Sequence, residues 1–266
     1  MPDGLRFHPY PLAGVDAMTA STSRAFPRHT HDQYGIGVVV AGGHASWSGR
    51  GEVEAGPGSL IAVNAGEVHD GRAVGGRTRT WRILYLEPAL LDATYADILD
   101  GARGSFTFAA PVFADPRVRA SLDAALAFVG AERGGAMACE SALLVLVARL
   151  RAHAAHRPRE RRATASIQRA RQRIDADPAA PVTLAELASE AGLSRHQLLR
   201  AFARELGVTP HAYVVQRRVA LARRLIRARH SLVEAALLAG FCDQSHLTRC
   251  FAQYVGVTPH RYAAAR

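Results

Sequence analysis

One segment occurs twice in the last two-fifths of the chain, and it limits the possible folds more than any other feature. Gly192-Leu-Ser-Arg-His-Gln-Leu-Leu-Arg-Ala-Phe202 precedes Gly207-Val-Thr-Pro-His-Ala-Tyr213, and Gly240-Phe-Cys-Asp-Gln-Ser-His-Leu-Thr-Arg-Cys-Phe251 precedes Gly256-Val-Thr-Pro-His-Arg-Tyr262. Leu198/Leu247, Arg200/Arg249, Phe202/Phe251, Gly207/Gly256 and Pro210/Pro259 repeat at an offset of 49, whereas Gly192/Gly240 differ by 48. The second copy therefore carries one extra residue in its turn. A repeat of this length points to one supersecondary unit used twice.

Each copy reads as helix, turn, helix. Thr183-Leu-Ala-Glu186 and Ser194-Arg-His-Gln197 are capping boxes, in which each end of the motif satisfies a free backbone N–H at a helix start. Gly207 can supply a left-handed helix stop. Thr209 with Pro210 then opens a helix expected to run to about Arg229, buried along Val215, Val219, Ala222 and Ile226. Arg217, Arg218, Arg223, Arg224 and Arg227 are expected mostly outside that stripe. Ser231-Leu-Val-Glu234 is a third capping box and starts the second copy. Two helices joined by a short Gly-containing turn form a helix-turn-helix, whose second helix can lie in the major groove of DNA.

Charge supports a polyanionic partner for this half. Residues 1–157 hold 15 Arg and 15 Asp+Glu, and residues 158–266 hold 18 Arg and 8 Asp+Glu, so the whole formal excess of +10 lies in the second part. All basic residues are arginine, which follows the Ala- and Gly-rich composition and carries no functional reading. The junction His156-Arg-Pro-Arg-Glu-Arg-Arg-Ala-Thr164 is charged and aperiodic, and residues 158–164 read as a linker. Nucleic acid is the first candidate partner and an anionic membrane surface the second.

The first half changes character along its length. Residues 34–40, 44–48, 52–54, 59–63 and 81–86 are short β-type runs closed by Gly, Pro or Asn, as in a sandwich or barrel. Residues 116–129 and 137–153 are Ala/Leu-rich and read as helices. Leu143, Leu146, Val147 and Leu150 form one apolar stripe, which either packs on the chain's own barrel or makes a dimer seam. No apolar run approaches the ~18–20 residues of a membrane span, and the N-terminus lacks a secretory pattern. Cys139, Cys242 and Cys250 are few, odd in number and without metal-ligand spacing, which fits a reducing cytosol and plain thiols.

Two resemblances follow from these residues. His29-Thr-His31 with Gly56-Pro-Gly58 through Asn64-Ala-Gly66-Glu-Val-His69 resembles the two motifs of a cupin barrel. Metal-binding cupins add an acidic ligand, and Gly35 and Ile36 stand at the matching positions here. Two His two apart on a strand would share a face, and three His alone can bind zinc, so a metal stays open beside an organic ligand. No metal or other cofactor is expected. The expected effector pocket is His29, His31, Tyr34, His69 and Trp47 or Trp81.

Residues 165–266 closely resemble the DNA-binding domain of AraC/XylS-type transcription regulators, and the order cupin-like module, helices, double helix-turn-helix matches that family's architecture. The resemblance implies an α+β multidomain chain: residues 1–157 for effector binding and dimerisation, a linker, and residues 165–266 with two helix-turn-helix units. It implies base-reading positions at His196, Leu199 and Arg200, beside Arg195, in the first unit, and at Gln244, Ser245, His246 and Arg249 in the second. Leu199 departs from a polar reader and could touch a thymine methyl. The reading is a cytoplasmic homodimer that binds double-stranded DNA and a small effector, engages RNA polymerase if it activates, and is not an enzyme. An isomerising or oxidising metal cupin, and an architectural DNA-binding protein without a ligand, are the alternatives.

Overall fold

The computed structural model describes residues 4–48, 51–99, 106–130, 136–155 and 164–265. By its contacts the chain divides into two compact units, one of residues 1–25 and 31–158, the other of residues 26–30 and 159–264. Of the expected linker, only Thr164 is among the described residues. Among the described residues no helix is long and apolar enough to cross a membrane.

The N-terminal half runs β1 (Gly4–His8), β2 (Val15–Thr22), β3 (Phe26–His29), β4 (Tyr34–Ala41), β5 (His44–Ser48), β6 (Gly51–Ala55), β7 (Leu60–Val63), β8 (His69–Ala73), β9 (Arg79–Leu86), α1 (Pro88–Ile98), β10 (Val112–Phe113), α2 (Pro116–Leu126) and α3 (Ala136–Leu150). The strands form a six-stranded sheet in the order β1-β2-β9-β4-β7-β10 and a four-stranded sheet in the order β3-β8-β5-β6. The cupin-like module is therefore a pair of sheets.

Alternation along the strands sorts the side chains of the larger sheet. Val15, Ala17, Ile36, Val38, Leu60, Ala62, Leu84 and Leu86 share one buried cluster with Leu91 of α1, Leu122 of α2 and the stripe Leu143, Leu146, Val147 and Leu150 of α3. That stripe is thus core of the chain itself, which removes it as a dimer seam. Residues of opposite parity, including Gly37, Trp81, Ile83 and Tyr85, lie on the sheet's other face. A Cβ on Gly37 would stand 2.7 Å from the Arg82 carbonyl oxygen, so only glycine lets β4 and β9 approach there. Asp115 caps α2 by accepting hydrogen bonds from the backbone of Arg117 and Val118, and Pro116 occupies the first turn.

The second unit holds α4 (Ala165–Ala176), α5 (Leu184–Ala191), α6 (Arg195–Leu206), α7 (Pro210–Arg227), α8 (Leu232–Leu238), α9 (Gln244–Val255) and α10 (Pro259–Ala264). The three capping boxes form as the sequence implies, at Thr183/Glu186, Ser194/Gln197 and Ser231/Glu234. In the second copy Asp243 replaces the serine cap and accepts from the backbone N–H of His246 at 2.6 Å. Gly192, Gly207, Gly240 and Gly256 all take left-handed conformations. The duplication extends to packing. The ring of Phe202 lies 5.7 Å from Tyr213 and that of Phe251 lies 5.4 Å from Tyr262, an identical pairing one repeat later.

Candidate nucleic-acid interface and effector pocket

The helices α6 and α9 are both 12 residues long and both end on a left-handed glycine. Leu198, Phe202, Leu247 and Phe251 have no exposed surface, so one face of each helix is wholly committed to its unit's core. The 3.6-residue period then leaves Arg195, His196, Leu199 and Arg200 on the free surface of α6, and all four are exposed. Gln244, Ser245 and Arg249 are exposed on α9 in the same way. His246 is only part-exposed, because its ring lies edge-on against Phe241 at 5.2 Å. Leu199 keeps 37% of its surface exposed, an apolar group that the unit's own core does not use. Arg195 stands in the first turn of α6, where the helix dipole is positive and an arginine gains nothing from its own helix. A phosphate there would be favoured by both the dipole and the side chain.

The arginines of α7 are arranged differently from the outward-facing set expected. Arg217 pairs with Asp175 at 2.9 Å, which also accepts the Tyr213 hydroxyl at 2.8 Å. Arg218 donates to backbone carbonyls, Arg223 lies over the Tyr262 ring at 5.4 Å, and Nε of Arg227 donates to the Tyr262 hydroxyl at 3.1 Å. Arg224 alone of the five is exposed. Tertiary structure has therefore recruited most of these charges to hold helices together.

In the N-terminal half the expected pocket residues separate into two groups. His31 and His69 meet with ring centroids 5.0 Å apart, and His31 lies 5.2 Å from Tyr85. The Gly66 N–H donates to the His31 carbonyl at 2.9 Å, which ties the loop before His69 to the turn bearing His31. Asn64 braces that loop, its side-chain nitrogen donating to Glu67 at 2.9 Å and its oxygen accepting from the Phe108 N–H at 2.8 Å. One ring nitrogen from each of His29, His31 and His69 falls within 4.8 Å of the others. Strand alternation is not what joins the first two, since β3 ends at His29 and His31 sits in the bend before β4.

The tautomers of these rings are set locally. Nδ1 of His29 lies 2.8 Å from the Pro27 carbonyl, that of His31 2.8 Å from the Gln33 carbonyl, and that of His69 3.1 Å from the Glu67 carbonyl. A carbonyl only accepts, so Nδ1 carries the proton in each of these rings.

Tyr34 does not join them. Its parity places it with Ile36 and Val38, and its hydroxyl donates to the Phe106 carbonyl at 2.9 Å within the helix-side core. Trp47 lies, by alternation, on the opposite face of β5 from His44. Trp81 is buried, with the His44 ring at 5.5 Å and the Arg79 guanidinium 5.0 Å above it. His44, Arg79 and Tyr85 escape a sequence reading because register alone brings them to this face.

Arg79 is fully buried and its Nε donates to Nδ1 of His44 at 3.0 Å. That bond requires an unprotonated Nδ1, so His44 is neutral. Burial, helped by Arg79, pushes the His44 imidazole down to about 4. Burial does the same to His69, to about 4, against a smaller opposing effect from the Glu67 carbonyl. Burial also lowers Arg79 to about 10.

The two neutral imidazoles make stability depend on pH. Both folded values lie below the ordinary 6.5, so the stabilisation is present above pH 6.5 and is lost as pH falls toward 4. Each tenfold change in proton affinity is worth about 1.4 kcal/mol, which puts the loss on the order of a few kcal/mol. Melting curves of the wild type and His44→Gln across this range check it, because glutamine keeps an acceptor for Arg79 without titrating. The variant should show the shallower slope, and parallel slopes would refute the assignment.

Comparison with known proteins gives a concordant result. Residues 13–147 match the family described as AraC-like ligand binding domain, and residues 187–265 match the family described as helix-turn-helix domain. The chain is 28% identical over 230 residues to an uncharacterized HTH-type transcriptional regulator, YbfI of Bacillus subtilis (strain 168), covering 84% of this chain and 81% of that one. Over 65 residues, 24% of this chain and 26% of the relative, it is 42% identical to LumQ of Photobacterium leiognathi, a probable transcriptional regulator. An apo form of ToxT from Vibrio cholerae strain SCE256 superposes with a TM-score of 0.61 at 10% identity, covering 97% of this chain and 99% of that one. Unsaturated fatty acid-bound ToxT from the same strain gives 0.58 at 11% identity, over 99% and 97% of the two chains.

Proposed function

Because the chain belongs to the AraC family of DNA-binding transcription regulators, with an N-terminal ligand-binding domain and a C-terminal helix-turn-helix domain, we propose that it reads one operator with two recognition helices under the control of a small effector. The observation that carries this reading is the duplicated geometry of α6 and α9. Each turns a Leu and a Phe into its core and an exposed arginine, Arg200 or Arg249, outward at the same position. An arginine so held can make two parallel bonds to guanine O6 and N7. Arg195, His196 and Leu199 complete the first reader, and Gln244, Ser245 and His246 the second. His246 is the least available of these, given its contact with Phe241.

Selection of bound duplexes from a randomised library tests the reading. Each protomer of the full chain should enrich a pair of short sequence blocks about one DNA turn apart, roughly 34 Å. Enrichment of no sequence would leave only charge-driven binding. Binding to the selected duplex should also weaken steeply with salt, since the excess of +10 lies in residues 158–266 and each neutralised phosphate releases counterions. A plot of log affinity against log salt with a slope near zero would remove the phosphate contacts.

The effector site proposed here lies around His31, His69 and Tyr85 with His29 and Trp81, and no longer includes Tyr34 or Trp47. Its imidazole and phenol rings suit a small organic molecule that combines apolar and hydrogen-bonding groups. ToxT, on the same fold, has been seen with an unsaturated fatty acid bound. The convergence of one ring nitrogen from each of His29, His31 and His69 supports a second occupant, a divalent ion of borderline softness such as zinc. A thermal-shift screen of organic molecules and divalent ions, repeated with His69→Asn, distinguishes the two. A cytoplasmic homodimer without enzymatic activity, touching RNA polymerase if it activates, completes the proposal. Its seam cannot use the buried Leu146 stripe.

A further inference from the structure

The 49-residue offset that relates α6 to α9 also relates Arg169 on α4 to Arg218 on α7. Both arginines hold the end of the first helix in their own helix-turn-helix. Arg169 donates from Nε to the Glu190 carbonyl at 3.0 Å and from Nη2 to the Ala191 carbonyl at 3.2 Å. Arg218 donates from Nη1 to the Gly240 carbonyl at 2.7 Å. There the equivalence stops. Nε of Arg218 also donates to the Pro178 carbonyl at 2.8 Å, and its Nη2 to the Ala180 carbonyl at 3.3 Å. Residues 178–180 lie between α4 and α5, at the entrance to the first helix-turn-helix. One guanidinium thus bridges the first reader and the turn of the second.

The backbones it bridges are themselves in contact. Gly240 has φ +79°, and a Cβ there would stand 2.6 Å from the Ala179 carbonyl oxygen. The acceptors are all main-chain carbonyls, which cannot swing away as side chains do. A planar guanidinium offers donors in several fixed directions, whereas a lysine ammonium could not span the same set. Each reader has its own closed core, around Leu198/Phe202 and Leu247/Phe251. The geometry left to be fixed is the separation and angle between α6 and α9.

We propose that Arg218 is a positioning residue that sets this separation, and so decides the spacing between the two sequence blocks the protein accepts. The proposal rests on the two-helix reading given above. Arg169, its counterpart, stays within the first reader and has no such role.

The test is the library selection with full-length wild type, Arg218→Gln and Arg169→Gln. Wild type should enrich two blocks at a single separation. Arg218→Gln should enrich the same two blocks over several separations, and should bind the wild-type-spaced duplex about tenfold more weakly while binding either block alone as wild type does, because the second contact loses effective concentration. Arg169→Gln should keep the single separation. The proposal is overturned if Arg218→Gln keeps that separation, if it loses a block altogether, or if Arg169→Gln broadens the spacing equally. A wild type that enriches only one block would instead overturn the two-helix reading, and the spacing role with it.

Discussion

Leu146→Arg is expected to abolish the folded N-terminal unit. Leu146 has no exposed surface and lies in the cluster that joins α2 and α3 to one face of the six-stranded sheet. Removing its side chain alone would cost about 2–5 kcal/mol. The arginine adds an unpaired buried charge, which costs several kcal/mol more. Together these approach or exceed the roughly 5–15 kcal/mol that holds a typical domain folded. Leu144→Arg, two residues earlier on the same helix, is the matched control. Leu144 is 43% exposed, so its replacement should change stability by no more than about 0.5 kcal/mol. Soluble yield and the melting profile of the two variants give the answer. A soluble, folded Leu146→Arg monomer would mean that the stripe is a subunit seam and that the packing described for α3 is wrong.

The second half was legible because its boundaries are chemically local. Thr183, Ser194 and Ser231 each sit three residues before the Glu or Gln that completes a capping box, and glycine marks the turns. The offset then supplied an internal alignment, so a reading made on one copy could be checked on the other. In the first half, strands 34–41, 44–48 and 79–86 carry β-type residues and were visible. Strand β2 was not, because it is buried along nearly its whole length and so shows no polar alternation. Strand β8 reads His-Asp-Gly-Arg-Ala, a composition that suggests a loop.

The pocket was legible only in part for a related reason. His31 and His69 announced themselves through a motif. Tyr34 looked like their neighbour, but the bend before β4 breaks the alternation and turns it into the helix-side core. Arg79 and His44 were hidden, because an arginine in a strand looks like a surface residue until pairing buries it beside Trp81. The outward arginines of α7 failed for the same reason. Periodicity places a side chain on a face, and it cannot say whether another helix covers that face.

Replacing both Arg200 and Arg249 by alanine should remove most of the protein's sequence discrimination while leaving its fold and its general attraction to DNA. Each is exposed and two residues from a buried Leu and a buried Phe, so neither substitution opens a cavity. Each bidentate arginine–guanine pair is worth about 1–3 kcal/mol of discrimination. The two sites lie in separate readers, so their losses should add, to about 2–6 kcal/mol. Arg224→Ala, which removes an exposed charge from the linking helix, should weaken all duplexes alike, as a phosphate contact would. The most direct measurement is a binding titration of wild type, Arg200→Ala, Arg249→Ala and the double variant against the selected duplex, its single-base variants and unrelated DNA, with helical content recorded for each protein. The expected result is a loss confined to the selected duplex, at one base position for Arg200→Ala and at another about one helical turn away for Arg249→Ala. Equal losses on every duplex, with helical content unchanged, would contradict the assignment of α6 and α9 as the sequence-reading helices.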